Sequence, residues 1–271
     1  MKHWTLDDIP WHQFDAARVD PEVLKLIKGA SLVEGNGGDY AKYLCSVFDD
    51  DPEFQKVAVS WGEEEIQHGL ALGRWAAMAD PSFDFDSCFK RFTDGFPIQV
   101  DANASIRGSR AGELVARCIV ETGTSSYYTA LTESVQEPVL KEICRNIAAD
   151  EFRHYKLFYD HLKRYLERER IGRWRRFLVA LGRLLESQND ELAYAYYAAN
   201  EPHTRYDRRR FVRAYTGRTY PLYQPRHVQR VIGMVLKAIG FKPNGRLNDV
   251  LTRWACRFLQ FRSQRLARAG I

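Results

Sequence analysis

The sequence predicts an all-α protein built around a four-helix bundle. Apolar residues recur with helical periodicity along nearly the whole chain, whereas strand-like alternation and the Asn-Gly or Asp-Gly turns of β-hairpins are rare. Four long helical segments come first, and residues 80–108, between the second and the third, contain two prolines and two glycines. These helix-breaking residues predict one long crossover in the middle of the bundle.

The four predicted bundle helices have identifiable ends. The first runs from about Pro21 to Phe48 and stops at three consecutive aspartates. The last of these, Asp51, is a predicted N-cap for the second helix, which opens with Pro52 and continues to about Met78. The third and fourth helices are predicted over residues 109–135 and 138–170. Four long helices with one long central connection form the ferritin-like bundle topology.

Additional C-terminal helices follow the bundle. Gly172 breaks the chain, a fifth helix is predicted to about Asn200, and a basic, proline-containing stretch covers residues 204–225. Two shorter helices are predicted over residues 226–240 and 246–269. We therefore expect residues 1–170 to form the bundle with an N-terminal arm, and residues 171–271 to form a basic helical extension packed on it.

Charge is distributed unevenly between these two parts. The 271 residues carry a net charge of +5, but residues 1–160 have a balance of −11 and residues 161–271 a balance of +16. Such asymmetry indicates different roles for the two parts. A content of 45% hydrophobic and 13% aromatic residues excludes an intrinsically disordered chain.

Cysteine usage predicts a cytoplasmic protein. The five cysteines are scattered and form no Cys-x-x-Cys pair, which argues against a disulfide framework, a zinc ribbon or a rubredoxin-type iron site. The first ten residues include two aspartates and no apolar run, so no secretory signal is predicted. No stretch approaches the roughly 18 uncharged apolar residues of a membrane span.

Two Glu-x-x-His motifs carry the main chemical signal. Glu65 and His68 form the first, and Glu151 and His154 form the second. Positions i and i+3 share one face of a helix, so each motif places a carboxylate beside an imidazole. Each glutamate follows the proline that opens its helix by the same interval, which predicts that both lie at a similar depth in the bundle.

The other two bundle helices each supply one candidate glutamate. Glu34 precedes the first motif, and Glu121 precedes the second, by an interval of about thirty residues. Four carboxylates and two imidazoles that converge in a bundle core predict a site for two metal ions. This mixture of oxygen and nitrogen ligands favours two iron ions, with manganese or a mixed iron–manganese pair as the alternative.

The motifs resemble those of the soluble acyl-carrier-protein desaturases, a branch of the ferritin-like di-iron carboxylate superfamily. Residues 61–69, WGEEEIQHG, resemble the first metal motif of that branch, and residues 147–154, IAADEFRH, resemble the second. Glu121 is followed three residues later by Thr124, which is also the family's pattern. The resemblance covers about residues 20–165, and residues after Arg170 show no match to the family.

The resemblance implies a role for each site residue. It makes Glu65 and Glu151 bridging ligands, with Glu34, His68, Glu121 and His154 as terminal ligands. It implies that Asp150 accepts a hydrogen bond from the far ring nitrogen of His68, and that Trp61 matches a tryptophan beside the site. Thr124 would face the oxygen-binding side as a catalytic proton relay. The structural alternative for Thr124 is a hydroxyl bonded to its own helix backbone. The structural alternative for Trp61 is ordinary core packing.

The same resemblance implies an oxygen-dependent oxidoreductase that acts on an apolar substrate, most simply an acyl chain, by desaturation or hydroxylation. Two other functions stay open. A ferroxidase or iron-handling protein would need no organic substrate. A radical-generating di-metal subunit would use a tyrosine near the metals, and Tyr128 is the candidate because it shares a helix face with Glu121.

The basic C-terminal part predicts acidic partners. An arginine-rich surface suits an acyl carrier protein or another acidic carrier, and a ferredoxin-type electron donor. The last helix combines arginines with Trp254, Phe258, Leu259 and Phe261, which also suits an anionic membrane surface. A solvated helix face packed on the bundle is the alternative for this basic part. No nucleic-acid motif accompanies the charge, so no nucleic-acid partner is expected; a homodimer is expected. The two arginine clusters are Arg205, Arg208, Arg209, Arg210, Arg213 and Arg218, and Arg246, Arg253, Arg257, Arg262, Arg265 and Arg268.

Glycines surround the first candidate ligand. Gly35, Gly37 and Gly38 follow Glu34 directly, and each costs about 1 kcal/mol against alanine in a helix. So many glycines predict a close backbone approach, a local bulge, or an entrance beside the metal site.

Overall fold

A computed structural model describes residues 3–187 and 191–268, and in these residues the chain is all-helical with no β-strand. Three short 3-10 turns occupy the N-terminal arm before the first α-helix, and a fourth covers Tyr220–Leu222. The helices are α1 (Pro21–Gly35), α2 (Gly37–Val47), α3 (Pro52–Ala79), α4 (Phe85–Gly95), α5 (Arg110–Ser134), α6 (Pro138–Glu169), α7 (Arg173–Ser187), α8 (Glu191–Asn200), α9 (Arg208–Thr219), α10 (Pro225–Ala238) and α11 (Arg246–Arg268).

The long bundle helices begin where their sequence signals predict. The Asp51 carboxylate accepts a hydrogen bond from the Phe54 amide at the start of α3, and Pro52 occupies the first helical position. At the start of α6, the Glu137 carboxylate caps the Leu140 amide in the same way. Helices α5 and α6 pack along each other, α1 and α2 pack on α3, and α3 meets α6. The described residues therefore form a helical bundle.

The first predicted helix is interrupted at Asn36, which separates α1 from α2. The interruption lies where α1 and α2 come closest to α3. A Cβ atom on Gly37 would clash with Cβ of Glu65, and one on Gly69 would clash with the backbone of Gly35. The close backbone approach predicted from the glycines is thus present, and it brings Glu34 against α3.

Other elements also differ from the sequence prediction. The central connection contains a helix, α4, whose Phe85 ring packs against Gly73 of α3. The predicted fifth helix is described as two, α7 and α8, on either side of residues 188–190, which lie outside the described residues. Helix α9 lies within the basic, proline-containing stretch, for which the sequence predicts no helix. Its N-cap, Asp207, is a local signal for this helix.

The N-terminal arm packs on α3 and α6 before α1 begins. Trp11 and Phe14 join the apolar core that contains Trp75 of α3. The arm is also tied to the start of α6, because the Asp15 amide donates to Glu137. In the part of the chain that the structure describes, no helix combines the length and the apolar character needed to cross a bilayer.

Candidate metal centre

Six side chains from four helices converge in the interior of the bundle. They form two groups, and in each group four ligand atoms lie within 4.8 Å of one another. Glu65 and Glu151 belong to both groups. We name each group after the helix that gives its unshared glutamate. The α1 group is Glu34, Glu65, His68 and Glu151, and the α5 group is Glu65, Glu121, Glu151 and His154.

Both histidines point the same ring nitrogen into the centre. Nδ1 of His68 lies 3.4 Å from Glu151 and 3.8 Å from Glu34, and Nδ1 of His154 lies 3.0 Å from Glu65 and 3.8 Å from Glu121. All six side chains are buried. The structure therefore brings together every residue that the sequence predicts as a metal ligand.

The outer nitrogen of each histidine is held by an acid from the opposite motif. Nε2 of His68 lies 3.0 Å from Asp150, as the resemblance implies, and Nε2 of His154 lies 2.8 Å from Glu64. An ionised carboxylate only accepts, so it fixes the ring proton on Nε2 and leaves Nδ1 for a metal. Sequence reasoning missed Glu64, although it precedes Glu65 as Asp150 precedes Glu151.

The N-terminal arm covers the outer side of His68. The indole of Trp4 stacks on the His68 ring, with centroids 5.9 Å apart, and its Nε1 donates to Asp150 at 2.7 Å. His3 also reaches Asp150 at 3.0 Å, and Arg153 donates to the same carboxylate. Trp4 is 146 residues from Asp150 in sequence, and no local motif predicts this contact.

Asp150, Glu64 and His3 form a further cluster outside the centre. Arg153 lies against both carboxylates and donates to Glu64 at 3.2 Å. Burial raises the pKa of Asp150, but the hydrogen bonds from His68, Arg153 and Trp4 outweigh it, and the net shift is downward. The guanidinium thus already supplies the positive charge that this cluster requires.

Two hydroxyl groups contact ligand carboxylates. Thr124 donates to Glu151, and it also lies 3.3 Å from the carbonyl oxygens of Val120 and Glu121. The Thr124 hydroxyl therefore contacts both a ligand carboxylate and the backbone of its own helix. The phenol of Tyr128 donates to Glu34 at 2.6 Å.

Trp61 contacts the site only through its ring. It packs edge-on against His154 with centroids 6.4 Å apart, and against Phe158 at 5.4 Å. Its buried Nε1 has no hydrogen-bond partner among the described residues. Core packing against a ligand side chain is the role that these contacts describe.

The protonation of the metal-free centre reflects its crowded charges. Burial and repulsion from Glu151 raise the pKa of Glu65 well above its usual range, and Glu121 shifts in the same direction for the same reasons. Burial lowers the pKa of His68, but the surrounding carboxylates outweigh it and the net shift is upward. The same network lowers the pKa of Glu151 to about 2.

Five ligand atoms in the centre are buried without a hydrogen-bond partner among the described residues. Such orphaned atoms are rare in folded proteins, and all five face the space that the two ligand groups enclose. A cation would satisfy them and neutralise the carboxylates, so this donor set fits metal ions. The atoms are Oε1 of Glu65, Glu121 and Glu151, and Nδ1 of His68 and His154.

The fold and the centre define a class: a helical bundle protein with buried carboxylate and imidazole clusters that fit metal ions. No protein-family model matches the chain, and no curated protein sequence matches it at a significant level. The interpretation of its function therefore depends on the chain's own residues.

Proposed function

We propose that this chain is a di-iron, oxygen-dependent oxidoreductase with a ferritin-like bundle, similar to the soluble acyl-carrier-protein desaturases. In this proposal α1 with α2, α3, α5 and α6 are the four bundle helices, and α4 lies in the central crossover. The order of helices and the Glu, Glu-x-x-His repeat support it.

The observation that carries the proposal is that Glu65 and Glu151 belong to both ligand groups. A carboxylate shared by two sites bridges two ions, whereas a single structural zinc site uses a closed set of four ligands. The oxygen-rich donor set with one imidazole per ion favours iron, with manganese as the alternative. When bound, such an ion pair supplies the oxygen chemistry that removes hydrogen from an unactivated carbon.

The chain's own residues hold and orient the centre. Asp150 and Glu64 fix the Nε2 protons of His68 and His154, which directs both Nδ1 atoms inward. Tyr128 orients Glu34 through its hydrogen bond. The Thr124 hydroxyl is held at Glu151, where it can pass a proton between that carboxylate and a group bound beside it.

The substrate in this proposal is an apolar acyl chain, delivered by an acidic carrier such as an acyl carrier protein, with a ferredoxin-type protein as electron donor. Arg230 and Lys237 support the choice of acidic partners, because they line a surface groove of about 470 Å³ on α10 that reaches Tyr155 of α6. Two arginines of the predicted cluster around α9 form ion pairs within the fold instead. Arg210 pairs with Glu201, and Arg218 pairs with Glu22.

A radical-generating subunit is the second candidate function, because the Tyr128 phenol lies 2.6 Å from a ligand oxygen of Glu34. Oxidation of the reduced, iron-loaded protein by air, followed by electron paramagnetic resonance, separates the two functions. A persistent tyrosyl signal that Tyr128→Phe removes would favour the radical subunit. Its absence, together with a modified organic product, favours the oxygenase or desaturase.

The decisive experiment combines metal analysis with aerobic turnover. The purified chain should bind about two irons. It is then supplied with a chemical reductant and a panel of acyl carriers, and the products are analysed by mass spectrometry. Loss of two hydrogen atoms identifies desaturation, and gain of one oxygen atom identifies hydroxylation. Iron oxidation without a modified product would replace the proposal with a ferroxidase, and a single bound zinc would contradict it.

A further inference from the structure

Helix α11 presents a continuous apolar stripe to solvent. The stripe residues recur every three or four positions, so they share one side of the helix. Trp254 is 68% exposed and Phe261 is 61% exposed, which is unusual for such large apolar side chains. The opposite side, with Asn248 and Leu259, faces the protein. The exposed stripe consists of Leu247, Val250, Leu251, Trp254, Phe258 and Phe261.

Helix α7 has a second stripe of the same kind. Trp174, Phe177, Leu178 and Leu181 recur at helical spacing and are all exposed, and Trp174 reaches 70%. The inner side of α7 packs on α5 through residues such as Ala180. Both stripes are therefore left uncovered by the described part of the chain.

The two stripes approach each other at the turn between α10 and α11. The guanidinium of Arg173, in the first turn of α7, lies 5.7 Å from the Phe241 ring in that turn. Phe241 is itself exposed, and Leu247 opens the α11 stripe shortly afterwards. Arg176 also lies against Gly240. The first turn of α7 thus lies beside the turn that precedes α11, near the start of each stripe.

Arginines follow the edge of the α11 stripe. Arg246, Arg253 and Arg257 lie on one side of it by helical spacing, and none forms an ion pair with a described residue. Asp249 is the single acid of this helix. An apolar stripe with aromatic residues and a row of arginines is the composition of helices that lie in an anionic membrane interface.

We propose that α7, Phe241 and α11 form a docking surface for an anionic lipid bilayer. Headgroups that carry negative charge complement the arginine row, and the aromatic side chains enter the boundary between headgroups and acyl chains. A second copy of the chain is a poorer occupant, because a twofold contact would place two strongly basic surfaces against each other. The proposal does not depend on the metal centre.

Vesicle binding of the intact chain tests this proposal. Sedimentation with phosphatidylcholine vesicles that contain phosphatidylglycerol should retain the protein, and pure phosphatidylcholine vesicles should retain much less. Replacing Arg253 and Arg257 with Gln together should lower the partition coefficient roughly thirtyfold, since each charge near such a surface contributes about 1 kcal/mol. Added salt should weaken binding in the same direction.

The apolar contribution is tested with Trp254→Ser combined with Phe261→Ser, and separately with Trp174→Ser. Each should lower binding by tenfold or more, because less apolar surface is available to enter the bilayer. The replaced side chains are exposed, so the fold should be retained. Val59→Ser on α3 and Lys156→Gln on α6, at exposed positions outside the surface, are matched controls that should not change binding. Binding unaffected by all three variants, or concentration-dependent self-association that they abolish without any vesicle binding, would overturn the proposal.

Discussion

The two ligand groups of the centre use the same residue types but are supported differently. In the α1 group, Glu34 lies at the last turn of a helix that stops at Asn36, and His68 is fixed by Asp150 beneath the stacked indole of Trp4. In the α5 group, Glu121 lies within an uninterrupted helix. His154 is fixed there by Glu64, whose side chain is 22% exposed.

Two ligand groups built from the same motif can therefore depend on different parts of the protein for their support. The α1 group depends on elements that are distant in sequence, namely the N-terminal arm and the glycine approach of α2 to α3. The α5 group depends on the local geometry of α5 and α6, which pack along each other. We therefore expect the α1 position to be the more sensitive one to changes outside the ligands.

The largest effect should come from removing a ligand that the groups share. Glu65→Ala takes a carboxylate from both groups, so metal content should fall from about two ions to nearly none. Glu34→Ala removes a ligand from one group only and should leave about one ion. Elemental analysis measures both, with Glu63→Ala, exposed on the same helix, as the control. Equal losses in the Glu65 and Glu34 variants would show that the groups do not act as distinct positions.

The second effect compares two glycines. Gly37 lies against the shared ligand Glu65, and Gly123 lies beside Glu121 of the α5 group. Gly37→Ala would place Cβ against Glu65, which should cost about 1–3 kcal/mol of unfolding free energy and weaken metal binding. Gly123→Ala, beside Glu121 in α5, meets no atom within 4 Å and should raise stability by up to about 1 kcal/mol. Denaturant unfolding measures both. A stable Gly37→Ala protein would show that the close approach is not required.

The third effect compares the acids that hold the histidines. Asp150→Ala should weaken metal binding by about 10–100-fold, because the loss also releases Trp4, His3 and Arg153. Glu64→Ala should have a smaller effect, since water reaches that position and can replace the carboxylate. Competitive metal titration gives both affinities. Equal losses would contradict the proposed asymmetry.

The smallest effect concerns the metal-free protein and pH. The pKa of Glu65 is raised above its usual 4.5, and that of His68 above its usual 6.5. Protonation of such groups stabilises the fold below the unfolded-state pKa, and this contribution disappears as pH rises through the folded-state pKa. The Tm of metal-free protein should therefore fall by a few degrees as pH rises above the usual 4.5 of Glu65 and then above the usual 6.5 of His68.

Metal loading is the control for this pH effect. Bound ions replace the protons, so the loaded protein should show a weaker decline and metal affinity should rise with pH. Glu65→Gln cannot ionise and should flatten the metal-free curve. The lowered pKa of Glu151 acts in the opposite direction, but only below its usual 4.5, outside this range. A metal-free Tm that rises with pH would contradict the assignment.

The sequence predicts the parts of this molecule that depend on local signals. Pro52 with its Asp51 cap, and Pro138, set where α3 and α6 begin, and these starts determine the depth of the two Glu-x-x-His motifs. Glu65, His68, Glu151 and His154 meet for that reason. Glu64 was also accessible to sequence reasoning, by its equivalence to Asp150.

Other features depend on contacts that no local pattern encodes. Trp4 meets Asp150 across 146 residues, and no motif around Trp4 predicts this contact. The exposure of Trp174 in α7 is similarly invisible in the sequence, because its helical spacing equally suits a buried core. Tertiary packing decides each of these features.

Each histidine is held by an acid that neighbours the other motif, and this arrangement has a consequence for biosynthesis. Asp150 and Glu151 lie far downstream of Glu64 and His68, so a nascent chain that ends before α6 lacks a shared carboxylate and the group that fixes the first imidazole. Neither ion position is complete until α6 has left the ribosome. In the proposed di-iron protein, a partly synthesised chain would therefore capture few ions, and metal loading would be one of the last events in maturation.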